Sequence, residues 1–454
     1  MAKEIEALAR FVAETTLAEI PAEVQRYAKL VALDTIGVIL AGAGRPEVQA
    51  LRDRLAPTAG TGATVAAPGW PAADPRTAAM LNGIAGRAIE LGEGHRYVSY
   101  QGALQILPGV LAVGEAGRRS GADMLAALIL SYDAGARLGA AMKIRPLAHQ
   151  NGQAALLGAA AGGARLNALS AAQTSLAMRI ATTLVLTPSY NNAVNGATTL
   201  NVAGGMSGVA LSLAPELALA GFTAQDDAIE EALGHLVGDG FDASILLEGL
   251  GTRWEITRNW LRLRACCNPI YAALDALEQA VADLGARPAE VERIDVATFR
   301  FASVMRHSDP PNYFASKYSL PHVAACLLAR GGTGFAAVDD SALTDPAVAA
   351  LRHRVHIVED PAMNPSVPAL KPARVTLTLK DGRQATRSCD SPRGDCLNPY
   401  DPGEIRQKFR ELACRALTAQ GLDEVERAVD GLERWPTGTV LPDLLRQHGR
   451  RDWQ

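Results

Sequence analysis

The segment 147–182, LAHQNGQAALLGAAAGGARLNALSAAQTSLAMRIAT, constrains the fold more than any other part of the chain. One histidine, His149, comes just before a long predicted helix whose faces are almost all Ala and Gly. Because small side chains let other helices approach closely, we expect this helix inside a large helical domain, with His149 at its mouth. A histidine beside the positive end of a helix is suited to handling the proton of an anion.

The length and charge of the chain limit its class. At 454 residues it exceeds one ordinary core, so two domains are expected. Charged residues make up 20% and the formal net charge is −4, which provides no overall field for nucleic acid or an anionic membrane. The N-terminal segment lacks the basic start and apolar run of a signal peptide, and apolar stretches such as 30–42 are shorter than the roughly 20 residues of a membrane span. We therefore predict a cytoplasmic protein with no nucleic-acid or membrane partner.

The motifs that hold metals and nucleotides do not occur in the sequence. Of six cysteines only Cys266 and Cys267 are adjacent, and no Cys-x-x-Cys pair is present, which predicts reduced thiols. There is no His-Glu-x-x-His motif, no phosphate-cradling glycine loop and no strand-led dinucleotide motif. We predict neither a metal nor a cofactor.

The periodicity of apolar residues changes along the chain. Up to about residue 260 it is helical, whereas the segments 290–299, 354–358 and 373–380 alternate as strands do, and Lys-Asp-Gly at 380–382 predicts a hairpin turn. Helices are expected at 269–284, at 318–330 and after Asp401, the N-cap that Pro402 follows. The prediction is a mostly α protein: a large all-α domain, 1–265 with 395–454, and a smaller α+β domain, 266–394.

A second informative segment, IELGEGHRYVSYQGALQILPG at 89–109, lies between two apolar helices. It crowds ionisable side chains, including Glu93, His95, Arg96 and Tyr100, into a glycine-rich connection. Such crowding indicates a site, and the alternative is a solvated loop with a capping acid.

These patterns resemble the MmgE/PrpD family, which includes 2-methylcitrate dehydratase, cis-aconitate decarboxylase and iminodisuccinate epimerase. His149, the Ala-rich helix, Arg-Leu and a second helix match one family segment. Glu93 falls on the second acid of the Asp-Asp-Gly-His run, His95 on its histidine, and Tyr100 on the histidine of a following His-Pro-Gly. One family acid is thus Gly92 here, and one imidazole has become a phenol.

Further matches lie downstream, and the resemblance implies substrate-binding roles for them. Where the family often has a lysine followed by histidine, the segment 195–209 offers Thr198, Thr199 and Asn201. Arg262 falls on another family lysine, and permanent charge would let Arg262 or its neighbour Arg264 clamp a carboxylate; pairing with a surface acid is the alternative. The predicted binding set also includes Tyr271, Tyr318 and His322. Tyr271 falls at the position of a histidine in the family, and for His322 a buried structural role is the alternative.

The resemblance implies a cofactor-independent lyase, of dehydratase or decarboxylase type, that acts on a small di- or tricarboxylate by abstracting a proton next to a carboxylate. His149, or the pair of Glu93 and His95, would be the base, Arg96 and the later arginines would hold carboxylates, and Tyr100 would return a proton. It also implies a homodimer with its active site in a cleft between the domains. An epimerase of an iminodisuccinate-like dicarboxylate and a repurposed, non-catalytic metabolite-binding protein remain alternatives.

Overall fold

The computed structural model describes residues 2–55 and 62–450. It is 58% helical and 11% strand, as predicted for a mostly α protein. The α-helices are α1 Ala2–Glu14, α2 Ala22–Gly42, α3 Pro46–Leu55, α4 Pro75–Arg87, α5 Ala103–Ala116, α6 Gly121–Ala141, α7 Ala154–Leu166, α8 Ala171–Ile180, α9 Tyr190–Val194, α10 Leu200–Leu219, α11 Ala228–Glu230, α12 Tyr271–Leu284, α13 Arg300–Ser303, α14 Tyr313–Ser316, α15 Leu320–Arg330, α16 Pro346–Arg352, α17 Pro402–Ala413, α18 Ala419–Asp430 and α19 Val440–His448. The strands are β1 Ala63–Thr64, β2 Ala72–Ala73, β3 Gly94–His95, β4 Met142–Ile144, β5 Gly238–Phe241, β6 Asn259–Trp260, β7 Val291–Thr298, β8 Val355–Glu359, β9 Ala373–Leu379 and β10 Gln384–Cys389.

The chain divides into two compact units. The first unit comprises Met1–Tyr190, Thr199–Leu261 and Asp401–Gln454, and the second comprises Asn191–Thr198 and Arg262–Tyr400. The periodicity had placed the short segment Asn191–Thr198 with the helical domain, whereas in the structure it belongs to the second unit.

The core of the first unit is built on helices that approach closely through glycine. Helix α7 packs against α6 and α10, and all of its residues except Arg165 are apolar or glycine. A side chain at Gly158 would lie 2.6 Å from the carbonyl oxygen of Ser131, and one at Gly163 would overlap the carbonyl of Leu211. The prediction that this Ala- and Gly-rich helix lies in the interior is confirmed, since Ala154 to Ala164 are all buried.

The turn before α7 differs from the prediction. The helix begins at Ala154, and His149 lies one irregular turn earlier rather than at the helix terminus. Gly152 has a φ of +78°, a left-handed conformation that favours glycine and interrupts helical geometry. The positive end of the helix dipole is therefore not directly beside the His149 side chain.

The first unit also contains short antiparallel strand pairs, β1 with β2, β3 with β6 and β4 with β5. The pairing of β3 with β6 places His95 opposite Asn259. These two residues are far apart in sequence, so this pair of strands connects the segment 89–109 to the end of the segment Thr199–Leu261.

The second unit contains a four-stranded sheet in the order β10-β9-β7-β8, with β7 and β8 parallel and the other pairs antiparallel. The three strands predicted from alternation are confirmed. So is the hairpin, in which Gly382, at a φ of +88°, turns β9 into β10. Helix α12 packs on β9 and β10.

Helix α17 begins as predicted. Asp401 caps it by accepting from the Gly403 amide, Pro402 is its first residue, and Glu404 completes a capping box. By length and composition α10 could cross a bilayer, but 56% of its apolar window is buried, and it packs against α4, α5 and α7 as core helices do.

Candidate active site

His95 is held on both sides of its ring. Its Nε2 lies 3.0 Å from Oε2 of Glu255, and its Nδ1 accepts from the backbone amides of Tyr97 (3.2 Å) and Val98 (3.1 Å). A neutral imidazole with its proton on Nε2 satisfies all three contacts. Both ring nitrogens are thus engaged by protein groups, which suits a positioning residue better than a base facing substrate.

Glu255 is the centre of this arrangement. Besides His95, its carboxylate accepts from Nε of Arg253 (2.7 Å) and Nη1 of Arg258 (2.9 Å). Burial alone would raise the pKa of Glu255, but the hydrogen bonds of His95 and Arg253 and the charge of Arg258 outweigh it and lower the pKa to about 2. Glu255 was not among the residues predicted from the sequence, although its position between two arginines just before Trp260 is a signal of a charged cluster.

Glu93 and Tyr100 lie in the same buried cluster. Oε1 of Glu93 accepts from the Ala103 amide (2.7 Å) and Oε2 from the hydroxyl of Tyr132 (2.9 Å). The Tyr100 hydroxyl donates to the Tyr132 carbonyl at 3.3 Å, and the two rings meet edge to face. Burial, with the charges of Glu93 and Asp133, raises the pKa of Tyr100 well above its ordinary value, so its phenol keeps its proton at neutral pH.

Arg96 supplies a buried positive charge beside this cluster. Its guanidinium lies 5.4 Å from the ring centre of Tyr97 and 5.3 Å from that of Trp260. Arg258 lies over Tyr97 at 4.3 Å, and the Arg96 amide donates to the Arg258 carbonyl (2.8 Å). The aromatic rings therefore hold two arginines next to the loop that carries His95.

His149 is buried in the turn before α7. Its ring stacks on Tyr190 with centroids 5.1 Å apart, and its backbone amide donates to the Pro188 carbonyl (2.9 Å). Its Nδ1 accepts from the amide of Asn151 at 3.2 Å. The neutral tautomer that satisfies this contact carries the proton on Nε2, which makes Nε2 a donor.

A small cavity of about 160 Å³ lies in the first unit between the two histidine-bearing segments. Its lining includes Tyr97 and Ser99 on one side and Gln150 and Gln153 on the other, with the end of α6. Gln153 is buried, and among the described residues its Oε1 has no hydrogen-bond partner. Both polar and apolar residues line the cavity, and residues from both histidine-bearing segments contribute to it.

Thr199 and its neighbour Asn201 begin helix α10. The Thr199 side chain is exposed and makes no cap bond, whereas Asn201 is buried. Neither polar atom of the Asn201 amide has a partner within the part of the chain that the structure describes. A buried amide without hydrogen-bond partners favours a polar ligand, whereas an exposed hydroxyl can bind water. Asn201 is therefore a better candidate for binding substrate than Thr199, the residue predicted from the sequence.

In the second unit, Arg262 and Arg264 are both buried. Arg264 pairs with two acids, since its Nη2 lies 2.6 Å from Asp275 and 2.6 Å from Glu278. Burial would lower the pKa of Arg264, but these ion pairs outweigh burial and raise the pKa above its ordinary value. The alternative of pairing with an acid thus describes Arg264, and of its two partners Glu278 is exposed at the surface whereas Asp275 is largely covered. The Tyr271 hydroxyl donates to the Arg264 carbonyl (2.5 Å), and burial raises the pKa of Tyr271 well above its ordinary value.

His322 and Tyr318 lie near one another in sequence and are both buried. The His322 amide is capped by Ser319 (3.0 Å), and its Nε2 lies 3.5 Å from Sγ of Cys326. Burial, followed by the charges of Arg352, Lys317 and Arg330, lowers the pKa of His322 to about 4. It is therefore a neutral imidazole, in line with the structural role left open for it, and Tyr318 packs its ring edge on Phe314.

The structure thus sorts the predicted residues by unit. The first unit brings Glu93, His95, Arg96 and Tyr100 into one buried cluster, and His149 is buried in a separate turn of the same unit. Thr199 lies at the start of α10. The second unit contains the rest of the predicted set, Arg262, Arg264, Tyr271, Tyr318 and His322.

Comparison with known proteins identifies the family. The MmgE/PrpD N-terminal domain matches residues 6–239, and the MmgE/PrpD C-terminal domain matches residues 265–433. A cis-aconitate decarboxylase of Aspergillus terreus is 25% identical over 94% of this chain and 92% of its own length. A cis-aconitate decarboxylase-like protein of Aspergillus oryzae is 25% identical over 96% and 95%, and the human cis-aconitate decarboxylase is 24% identical over 38% and 36%. With both domain matches together covering most of its length, the chain belongs to the MmgE/PrpD family.

Proposed function

We propose that this protein is a cofactor-independent lyase of decarboxylase type that acts on a small di- or tricarboxylate. The observation that carries the proposal is the protonation pattern of the two buried imidazoles, since His95 and His149 both accept a backbone amide at Nδ1. The relatives that cover nearly all of the chain are named as a cis-aconitate decarboxylase and a protein like it, which supports the same class.

The chemistry of decarboxylation fits such groups. When the carbon–carbon bond breaks, carbon dioxide leaves without the bonding electron pair, and the carbanion that keeps the pair must take up a proton. This step needs a positioned proton donor and charges that hold carboxylates. Nε2 of His149 carries that proton in the neutral ring, and a neutral imidazole is a known electrophile in enzymes. Solvent returns the proton to His149 after turnover.

Dehydration and epimerisation require the opposite, an unprotonated acceptor that removes a proton from carbon. Both nitrogens of His95 are engaged, and Nδ1 of His149 faces an amide N–H. Each oxygen of Glu93 accepts a hydrogen bond from the protein. This set favours proton delivery over proton abstraction, so the decarboxylase branch of the lyase prediction is preferred over the dehydratase branch and over an epimerase.

The remaining residues have binding roles in this proposal. Arg96, buried between Tyr97 and Trp260, supplies positive charge for a substrate carboxylate. Tyr100 keeps its proton and shapes the cluster through Tyr132. Asn201, with its unsatisfied amide, offers both a donor and an acceptor.

The test is NMR of the purified protein with cis-aconitate, citrate, 2-methylcitrate, malate and iminodisuccinate in deuterated water. We expect one of these acids to release carbon dioxide, with one deuterium incorporated into the product in each turnover. An olefinic product without gas release would make it a dehydratase, and hydrogen exchange without net conversion would make it an epimerase. An unchanged panel would favour the non-catalytic alternative.

A further inference from the structure

Helix α5 contributes a buried glutamine, Gln105, to the core of the first unit. Its Oε1 accepts from the amide of Gly152 (2.8 Å) and from the hydroxyl of Ser207 (3.0 Å), and its Nε2 donates to the carbonyl of Gln101 (2.6 Å). An amide group is buried at low cost only when its polar atoms are hydrogen-bonded, as they are here. Gln105 is therefore fixed between helix α10, which carries Ser207, and the turn before α7, which contains Gly152.

The turn that Gln105 contacts is also the one that carries His149. Nδ1 of His149 accepts from the amide of Asn151 (3.2 Å), and the next amide along the chain, that of Gly152, donates to Gln105. The side-chain oxygen of Asn151 lies 3.4 Å from Nε2 of Gln105. Because a planar peptide leaves only two soft dihedrals per residue, fixing the amide of Gly152 restricts rotation of the amide of Asn151.

The backbone of this turn depends on contacts with other parts of the unit. Residues 149–153 form an irregular turn before α7, and Gly152 is buried with a φ of +78°. The carbonyl of Gly152 accepts from the amide of Leu186 (2.9 Å), so Gln105 holds one side of this residue and Leu186 holds the other. Without Gln105 the buried amide of Gly152 would lose its acceptor, and a rearranged turn would become more favourable.

We propose that Gln105 is the positioning residue of His149. It holds the turn so that the amide of Asn151 faces Nδ1, and it thereby keeps the proton of the neutral ring on Nε2. An amide N–H favours the tautomer that has its lone pair on the facing nitrogen. The effect on turnover rests on the proposed function, in which Nε2 of His149 delivers the proton, whereas the position of the proton can be measured without turnover.

The test is NMR of the full-length protein labelled at the ring nitrogens of histidine, because the shifts of the two nitrogens show which one carries the proton. The His149→Gln variant identifies the signals of His149. In the native protein we expect the Nε2–H tautomer alone. Gln105→Met fills nearly the same space without these hydrogen bonds, and we expect a second population with the proton on Nδ1. We also expect a kcat at least about tenfold lower and a KM changed by less than about twofold, because a displaced proton donor slows the chemical step more than it weakens binding.

The NMR and kinetic results decide separate questions. A native tautomer in Gln105→Met would overturn the proposal, whatever the kcat. A second tautomer with native kcat would support Gln105 as the positioning residue but would exclude His149 as the proton donor. If the protein decarboxylates none of the acids, the proposed function fails and the NMR comparison still tests Gln105. If Gln105→Met does not fold, Gln105→Asn, whose amide is one methylene group shorter, replaces it with the same expected change in tautomer.

A conservative variant should restore the native state of the ring. In Gln105→Glu the new carboxyl, which burial keeps neutral, can still accept from Gly152 and donate to Gln101. We therefore expect the Nε2–H tautomer of His149 to return. A second tautomer as abundant as in Gln105→Met would contradict the proposal.

Asn82→Leu is the matched control for a general loss of stability. Asn82 is also a buried amide of the first unit, and it accepts from the amide of Ala66 (2.7 Å) and donates to the carbonyl of Thr64 (3.3 Å). Its replacement should lower the thermal stability, as Gln105→Met does, and leave the tautomer of His149 unchanged. A change of tautomer in Asn82→Leu as large as in Gln105→Met would refute a specific role for Gln105.

Discussion

Each unit of the molecule contains a buried charged group that several partners hold, Glu255 in the first unit and Arg264 in the second, and the two groups have opposite charges. In the first unit the centre is the carboxylate of Glu255, which accepts from His95 and two arginines. In the second unit it is the guanidinium of Arg264, which donates to two carboxylates. A central carboxylate selects the tautomer of a titratable imidazole, whereas a central guanidinium stays charged and only positions acids. The first arrangement fixes an imidazole beside the candidate site, and the second fixes two acids.

The largest expected effect concerns the proton donor of the first unit. His149→Gln keeps a side-chain N–H donor but cannot transfer a proton, so we expect kcat to fall by about 10²- to 10⁴-fold. Substrate affinity should change little. Turnover kinetics and isothermal binding measure the two effects, with the exposed His235→Gln as control. A variant with native kcat would show that His149 is not the proton donor, and the first unit would then have no assigned group for proton transfer.

The second prediction breaks the carboxylate centre itself. Glu255→Gln removes the charge that holds His95 and the arginines, and we expect the free energy of unfolding at neutral pH to fall by about 2 to 3 kcal/mol. The matched control is Glu248→Gln, because Glu248 reaches Arg253 from the surface at 3.5 Å. Denaturant unfolding measures both, and a Glu255 variant as stable as the control would show that the centre adds no stability.

The same residue also predicts a pH dependence. The pKa of Glu255 in the folded protein, about 2, lies below its ordinary value of 4.5. The contribution of Glu255 to the free energy of unfolding is therefore fully present above pH 4.5 and is lost as the pH falls toward 2. In that window the native protein should lose stability more steeply than Glu255→Gln. Parallel curves of unfolding free energy against pH would contradict this.

The second unit should respond to acid in a higher pH window. His322 has its pKa lowered from 6.5 to about 4, so the folded state takes up its proton later than the unfolded chain. The contribution of His322 to the free energy of unfolding is therefore fully present above pH 6.5. It falls, by at most about 3 kcal/mol, as the pH drops to 4. His322→Gln should flatten this window, whereas the exposed control His356→Gln should not. A native slope in both variants would contradict the assignment.

The smallest effect is expected at Tyr100. Its hydroxyl donates across 3.3 Å to the Tyr132 carbonyl, a long hydrogen bond. Tyr100→Phe should therefore cost about 1 kcal/mol of stability and less than about tenfold in kcat. Thermal unfolding and steady-state kinetics check this, with Tyr97→Phe as a neighbouring control. A much larger fall in kcat would restore Tyr100 as the group that returns a proton.

Local sequence signals predicted much of the fold. The capping residues around Asp401, the alternation in the strands of the second unit and the hairpin at Gly382 all appear where the pattern placed them. These signals work because each depends on residues within a few positions of one another. The turn at Gly152 was missed, because a glycine in a run of small residues does not reveal its backbone conformation.

The candidate site was predicted less completely. His95, Glu93, Arg96 and Tyr100 were selected together and do lie together, since they share one loop. Glu255 was missed because its contact with His95 spans 160 residues. Arg264 was selected for its charge, which in the structure two acids already neutralise.

The sequence by itself determined the family, the mostly helical composition and the positions of helices and strands, because these follow from local patterns of small, apolar and capping residues. Only the tertiary structure decided which nitrogen of each imidazole carries a proton and which charges are already paired. Those properties depend on partners brought close by folding, such as the amide that faces His149 and the carboxylate that holds His95.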